Sequence, residues 1–269
     1  LVEVRNWKIS MPDTVPPAVT AFVNSMLPLF LNIILIYGLN VLIIALTGST
    51  FPQFIMLLLT PALSFSGNLW GFIAIVTFGN FFFFFGINGT SIIFPIVFSI
   101  GITNTGINSE LIASGQEATV AMNLQMFRIS VLGGAGGTLG LIILMLRSKL
   151  VHLKTLSKIS IIPGICGINE PVIFGLPIVF NPILAIPFLL TPIINLVLTY
   201  YAQVAGIISM GYIIDPSFTP FFAQAYLATM DFRNVLFYFG LVVLSIFIYY
   251  PFFKVYENSL SRQSAMENQ

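Results

Sequence analysis

Long apolar runs dominate the chain, broken by short stretches rich in glycine, proline and single polar residues. A membrane-spanning helix needs about 20 largely apolar residues, and five runs are expected to form one. They are residues 26–46, 69–85, 131–146, 184–210 and 235–253. The third begins just before "GGAGG", and the fourth is expected to bend at Pro187 and Pro192. Four further apolar pieces, 52–61, 87–102, 161–177 and 217–230, are too short or too interrupted to span. Gly89, Pro95 and Gly101 interrupt the second of these; Pro163, Gly164, Gly167, Pro171 and Gly175 interrupt the third. Irregular backbone at membrane depth persists only where it is buried in protein or lines a polar cavity. Interrupted short segments therefore point to a transporter's binding site.

Composition adds the solvent. Of 269 residues, 57% are hydrophobic and 7% charged, with a mean hydropathy of +1.00. A water-facing domain carries about a quarter charged residues, so the chain reads as an all-α polytopic membrane protein: about five spanning helices plus re-entrant hairpins. Ten basic against nine acidic residues give no footprint for nucleic acid. Residues 1–20 contain no apolar signal core. A single cysteine, Cys166, and a single histidine, His152, allow no intrachain disulfide and no Cys/His metal cluster. No metal or other cofactor is expected.

Charge orients the spans. Arg147, Lys149, Lys154 and Lys158 share one acid-free segment, which places it on the cytoplasmic side. From there 161–177 should dip in and return, 184–210 cross outward and 235–253 cross inward. Residues 254–269 then form a polar cytoplasmic tail. Arg5 and Lys8 argue for a cytoplasmic amphipathic lead-in over 1–25, leaving 26–253 as the membrane transport domain. The crossings between 26 and 147 do not alternate under this assignment.

"GICGINEPVIFGLP", 164–177, holds the residue that most needs an explanation, Glu170. An intramembrane carboxylate costs about 3 kcal/mol even on the lenient insertion scale and is functional by default. Asn169 adds an amide with donors and an acceptor. Pro171 disfavours helix through this point and frees neighbouring carbonyls. The three make an acceptor-rich patch suited to sugar hydroxyls. In "FFFFFGINGTSIIFP", Gly86 and Gly89 bracket Asn88 at a second break. Its amide could bond a hydroxyl or serve only a turn, and the phenylalanines read as a lipid face. "GGAGGTLG" lacks the Lys-Ser/Thr of a phosphate loop; Gly133 and Gly137, then Gly136 and Gly140, are spaced for close helix packing. His152 reads as solvated. Asp215, Asp231 and Arg233 read as interfacial, and Arg128 as reaching either Glu117 or a polar cavity.

"WKISMPDTVPPAVTAFVNSMLP", "FFFFFGINGT", "GGAGGTLGLIILML", "LSKISIIPGICGINEPVIFGLPIVFNPILAIPF" and "YYPFFKVYE" occur in this order. Together they resemble the membrane subunit, enzyme IIC, of the phosphoenolpyruvate-dependent sugar phosphotransferase system, in its lactose/cellobiose/chitobiose branch. The resemblance implies a bacterial cell-membrane permease that binds a disaccharide outside and carries it across by an elevator-like shift. A phosphorylated enzyme IIB partner then phosphorylates the sugar 6-hydroxyl. Full-length members are homodimers in a lipid bilayer. The Glu of the N-E-P motif maps onto Glu170, implying sugar binding and a catalytic role as proton acceptor, so whether the chain counts as an enzyme depends on a cysteine carried by its partner. Asn169, Asn88, Gly86, Gly89 and Pro171 complete the implied substrate site.

Three departures follow. The family commonly has G-I-H-G where this chain has Gly86-Ile87-Asn88-Gly89, which removes a titratable group. Phe-Asn commonly precedes I-N-E-P, where Cys166-Gly167 stands here. Cys166 itself reads as a small buried hydrophobe. Family members are also longer, so this chain is expected to hold mainly the substrate-carrying domain. Two rival readings stay open: a non-catalytic sugar-binding subunit, favoured by Asn88, and an ion-coupled transporter using Glu170 as its proton site.

Overall fold

The computed structural model describes residues 11–12, 15–176 and 178–267, which leaves Arg5, Lys8 and Pro177 outside the described residues. Every regular element among them is helical. The chain divides into two compact units, residues 1–61 and 62–269.

In the first unit, α1 (Pro17–Thr47) starts with Pro17 in its first turn and stops at Gly48 in the left-handed conformation. That residue type and conformation form a common helix stop. Phe22, Ile34, Leu35 and Leu46 are exposed around its circumference, as expected of a helix solvated by lipid. Asn40 Oδ1 accepts from the Phe51 backbone N–H at 2.8 Å and so fixes the start of α2 (Phe51–Ser66).

The second unit contains α3 (Leu69–Phe84), α4 (Gly89–Ala113), α5 (Leu124–Ser130), α6 (Leu139–Leu146), α7 (Val151–Ile165), α8 (Glu170–Gly175), α9 (Pro182–Val204), α10 (Phe221–Leu227) and α11 (Phe232–Glu267). Three apolar clusters hold them together. Leu141, Met145, Val172, Leu184 and Tyr249 join α6, α8, α9 and α11. Phe72, Val97, Leu124 and Leu196 join α3, α4, α5 and α9. Ile129, Leu139, Ala225 and Leu241 join α5, α6, α10 and α11. The α5–α6 segment contributes to all three, so its geometry governs the unit.

Helices α1, α4, α9 and α11 are long and apolar enough to cross a membrane, and α5 with α6 makes a fifth candidate bent by 47°. Three expectations are corrected here. Residues 87–102 are not a broken piece: α4 runs unbroken through Pro95 and Gly101. Glycine is needed at two of its positions for contact rather than flexibility. A Cβ on Gly89 would overlap the Gly79 carbonyl, and one on Gly101 would lie 3.1 Å from Leu124 Cα. Proline inside a membrane helix is tolerated because neighbours re-satisfy the freed backbone groups. The apolar 69–85 run forms a 16-residue helix instead, about 24 Å long and shorter than the ~30 Å hydrocarbon core.

The third correction concerns 131–146. After a short 3-10 turn at Ala135–Gly137, α-helix exists only from Leu139, because Gly133, Gly134, Gly136 and Gly137 all have positive φ. The expected small-residue packing survives at Gly140, where a Cβ would lie 2.6 Å from the Ile246 backbone nitrogen of α11.

Candidate functional site

The glycine turn and the α7–α8 break are locked to each other. Asn169, buried just before α8, donates from Nδ2 to the Ala135 carbonyl at 2.7 Å and to Thr138 Oγ1 at 2.8 Å. Thr138 Oγ1 in turn donates to the Gly133 carbonyl at 2.7 Å. A Cβ on Gly134, whose φ is +94°, would overlap the Asn169 side chain, so only glycine permits this approach. Both amide hydrogens of Asn169 are spent on scaffold. Its role is to place the next residue.

That residue, Glu170, opens α8 with its side chain exposed. It lines a cavity of about 370 Å³, within the range of small-molecule sites. Its carboxylate has no hydrogen bond or ion pair among the described residues. Asn88 lies on the same cavity. Its Oδ1 caps α4 by accepting from the Ser91 N–H at 3.1 Å, which leaves its two amide hydrogens for a ligand. Both open uses of Asn88 are thus present together. Gly86, Gly89 and Pro171 do not line the cavity. Gly86 makes the turn after α3 at φ +77°, Gly89 permits the α3–α4 contact, and Pro171 sits in the first turn of α8, where a missing N–H costs nothing.

Arg128 also lines the cavity, the second of the two destinations open to it, and so do Ser217, Phe218 and Gln224, for which the sequence offered no site. Arg128 reaches the cavity and pairs through Nε with Asp215 Oδ2 at 3.0 Å. Its Nη2 donates to the Asp215 carbonyl at 3.4 Å and to Ser217 Oγ at 3.5 Å. Asp215 is therefore buried in the protein and not interfacial, because an apolar interior retains a carboxylate only against a counter-charge. The available signal was one arginine and one distant aspartate, both embedded in apolar sequence. Phe218 has φ +60°, a strained state for a bulky residue that concentrates at ligand clamps, and the residue is 67% exposed. Cys166 is half-buried on the cavity wall and not a fully buried hydrophobe. Of the five consecutive phenylalanines only Phe83 lines this cavity.

Residues 2–192 match the family described as the phosphotransferase system, EIIC. The chain belongs to the EIIC family. It is 33% identical over 262 residues to the lactose-specific EIICB component of Lactococcus lactis subsp. lactis, covering 95% of this chain and 46% of that protein. Against the lichenan permease IIC component of Bacillus subtilis (strain 168) it is 32% identical over 270 residues, 96% of this chain and 58% of the relative. The crystal structure of the transporter ChbC, the IIC component from the N,N'-diacetylchitobiose-specific phosphotransferase system, superposes with a TM-score of 0.72. That match has 28% identity and covers 98% of this chain and 62% of ChbC. This EIIC chain spans about half the length of the curated relatives it matches. The family reading drawn from "INEPVIFGLPIVFNP" holds.

Proposed function

We propose that this EIIC chain forms the sugar-carrying part of a disaccharide permease in a bacterial cell membrane. Its substrate belongs to the cellobiose, chitobiose or lactose class, and a phosphorylated enzyme IIB protein is its partner. In the full-length protein the working unit is a homodimer in lipid. The observation that carries the proposal is Glu170: an unpaired carboxylate on a cavity where Asn169, Arg128 and Ser217 are held by protein. Glu170 accepts from sugar hydroxyls, the free amide hydrogens of Asn88 donate to them, and Asn169 fixes the approach. In the transfer step the sugar 6-oxygen bonds to phosphorus as the S–P bond of the partner's phosphocysteine breaks. The hydroxyl proton passes to Glu170, a carboxylate positioned as general base, and catalysis rests on positioning and charge.

One observation favours a second reading, a sugar-binding subunit that does not support phosphorylation. Asn88 stands where a histidine is common, and its only acceptor atom already caps α4, so that position cannot take a proton. Binding without transfer to a supplied phosphorylated partner would establish this reading.

Cys166 supplies the test. It is the chain's single cysteine and lies on the cavity wall with Glu170, so bound sugar should shield it from N-ethylmaleimide. Alkylation rates are measured on the folded chain with cellobiose, lactose and diacetylchitobiose, alongside calorimetric titration. One sugar should slow alkylation and bind saturably. Glu170→Gln should weaken that binding about tenfold or more, since a hydrogen bond to a charged group contributes about 1.5–3 kcal/mol. A folded sample showing neither shielding nor binding heat for any of the three would overturn the assignment.

A further inference from the structure

The cavity that holds Glu170 has a second set of polar groups. Arg128 enters it from α5 and Gln224 from α10, and each residue is only 9% exposed. Protein contacts take Nε and Nη2 of Arg128. Its Nη1 makes no hydrogen bond among the described residues and is not sealed from the cavity; the same holds for both ends of the Gln224 amide. Polar groups on residues buried this deeply are nearly always paired. The pattern therefore calls for a ligand group that accepts from a guanidinium and also pairs with an amide.

Charge decides which acceptor fits. Asp215 balances Arg128 at 3.0 Å, which leaves the Glu170 carboxylate as the uncompensated charge among the lining residues. An anionic sugar such as a uronate would meet that carboxylate and is disfavoured, so the acceptor is neutral. A secondary amide meets both demands at once. Its carbonyl accepts from Arg128 Nη1 in a charge-assisted bond, and its N–H donates to Gln224 Oε1. A sugar hydroxyl is a single oxygen and cannot divide the two roles between separate atoms. The methyl of an acetyl group also needs apolar cover, which Phe127 supplies beside Arg128 and Phe221 supplies one turn before Gln224. We propose that Arg128 and Gln224 bind the acetamido group of an N-acetylated disaccharide, with Asp215 holding the guanidinium. This rests on the reading of the cavity as a sugar site and narrows its substrate class.

Calorimetric titration of the full chain compares diacetylchitobiose with cellobiose, which carries hydroxyls in place of the acetamido groups. The parent should bind the acetylated sugar about tenfold or more tightly, as a hydrogen bond to a charged group would provide. Gln224→Met keeps the length of the side chain and removes its amide, and should lower that preference several-fold. Arg128→Met with Asp215→Leu, which removes both charges together, should bring the two affinities close to equal. Glu170→Gln should weaken both sugars alike and leave their ratio unchanged, so the two assignments fail separately. Cellobiose or lactose bound as tightly as diacetylchitobiose overturns the proposal while the sugar site stands. An unchanged ratio in Gln224→Met protein, shown to be folded by thermal unfolding, overturns it too. A parent that binds none of the three sugars overturns the sugar site and this inference together.

Discussion

Two arginine–aspartate pairs occur in the second unit, and they differ mainly in their access to water. Arg128 and Asp215 meet at 3.0 Å with side chains 9% and 1% exposed. Arg233 and Asp231 meet at 2.7 Å with side chains 60% and 19% exposed. The shorter pair is the weaker contributor, because exposed pairs are screened and largely offset by hydration. In the buried pair each charge has given up its water and depends on the other. Contact distance alone would rank the two the wrong way round.

The largest expected effect follows from removing half of the buried pair. Arg128→Ala leaves Asp215 uncompensated and should cost about 3–5 kcal/mol of stability, seen as a strongly lowered unfolding temperature. It should also loosen the 215–218 wall, raising the alkylation rate of Cys166. Replacing both partners at once, Arg128→Met with Asp215→Leu, should recover most of the lost stability, since apolar residues of similar volume often match a buried pair. A double variant as unstable as the sum of the two singles would mean that the charges act separately, and the contrast between the pairs would collapse.

Glu170 sharpens the comparison from the other side, as a charge with neither partner nor burial. Glu170→Gln keeps the shape and removes the charge, so the unfolding temperature should stay near that of the parent. Sugar affinity should fall, and phosphoryl transfer should fall further if the carboxylate takes the hydroxyl proton. Equal losses in binding and transfer would make Glu170 a ligand and not a base. A lowered unfolding temperature would show that the carboxylate has a structural partner after all.

The same contrast marks what sequence could show. Glu170 stood out because it is an isolated charge in a Gly/Pro-interrupted apolar segment, and its cost in lipid argues for function without any partner being known. Arg128 and Asp215 carried the same kind of signal singly, but 87 residues separate them, and no local period connects such positions. Long apolar runs gave α1, α9 and α11 because length and hydropathy decide a span. Helix α4 was obscured because Pro95 and Gly101 break helices in water, whereas here packing against α3 and α5 sets their value. The opposite error fell on 131–146, where apolar residues conceal a turn. Four glycines there adopt positive φ, and Leu139, Asn169, Phe188 and Thr191 occupy the space that side chains would need.

The smallest effect belongs to the exposed pair, and pH tests it without disturbing the fold. The hydrogen bond from Arg233 lowers the Asp231 carboxyl from its usual 3.8 to about 2, with Ser209 Oγ donating a second bond at 2.6 Å. A carboxyl with a depressed folded-state pKa stabilises fully above its unfolded value and loses that contribution as pH falls through the folded value. The unfolding temperature of the parent should therefore exceed that of Asp231→Asn only slightly near neutral pH. The gap should close between about pH 4 and pH 2. Arg233→Ala should likewise produce a shift near the limit of detection, because its guanidinium is already hydrated. A shift as large as that of Arg128→Ala would show that geometry, not burial, ranks these pairs. A gap that widens on acidification would show that Asp231 is held in its protonated form, reversing the sign of its contribution.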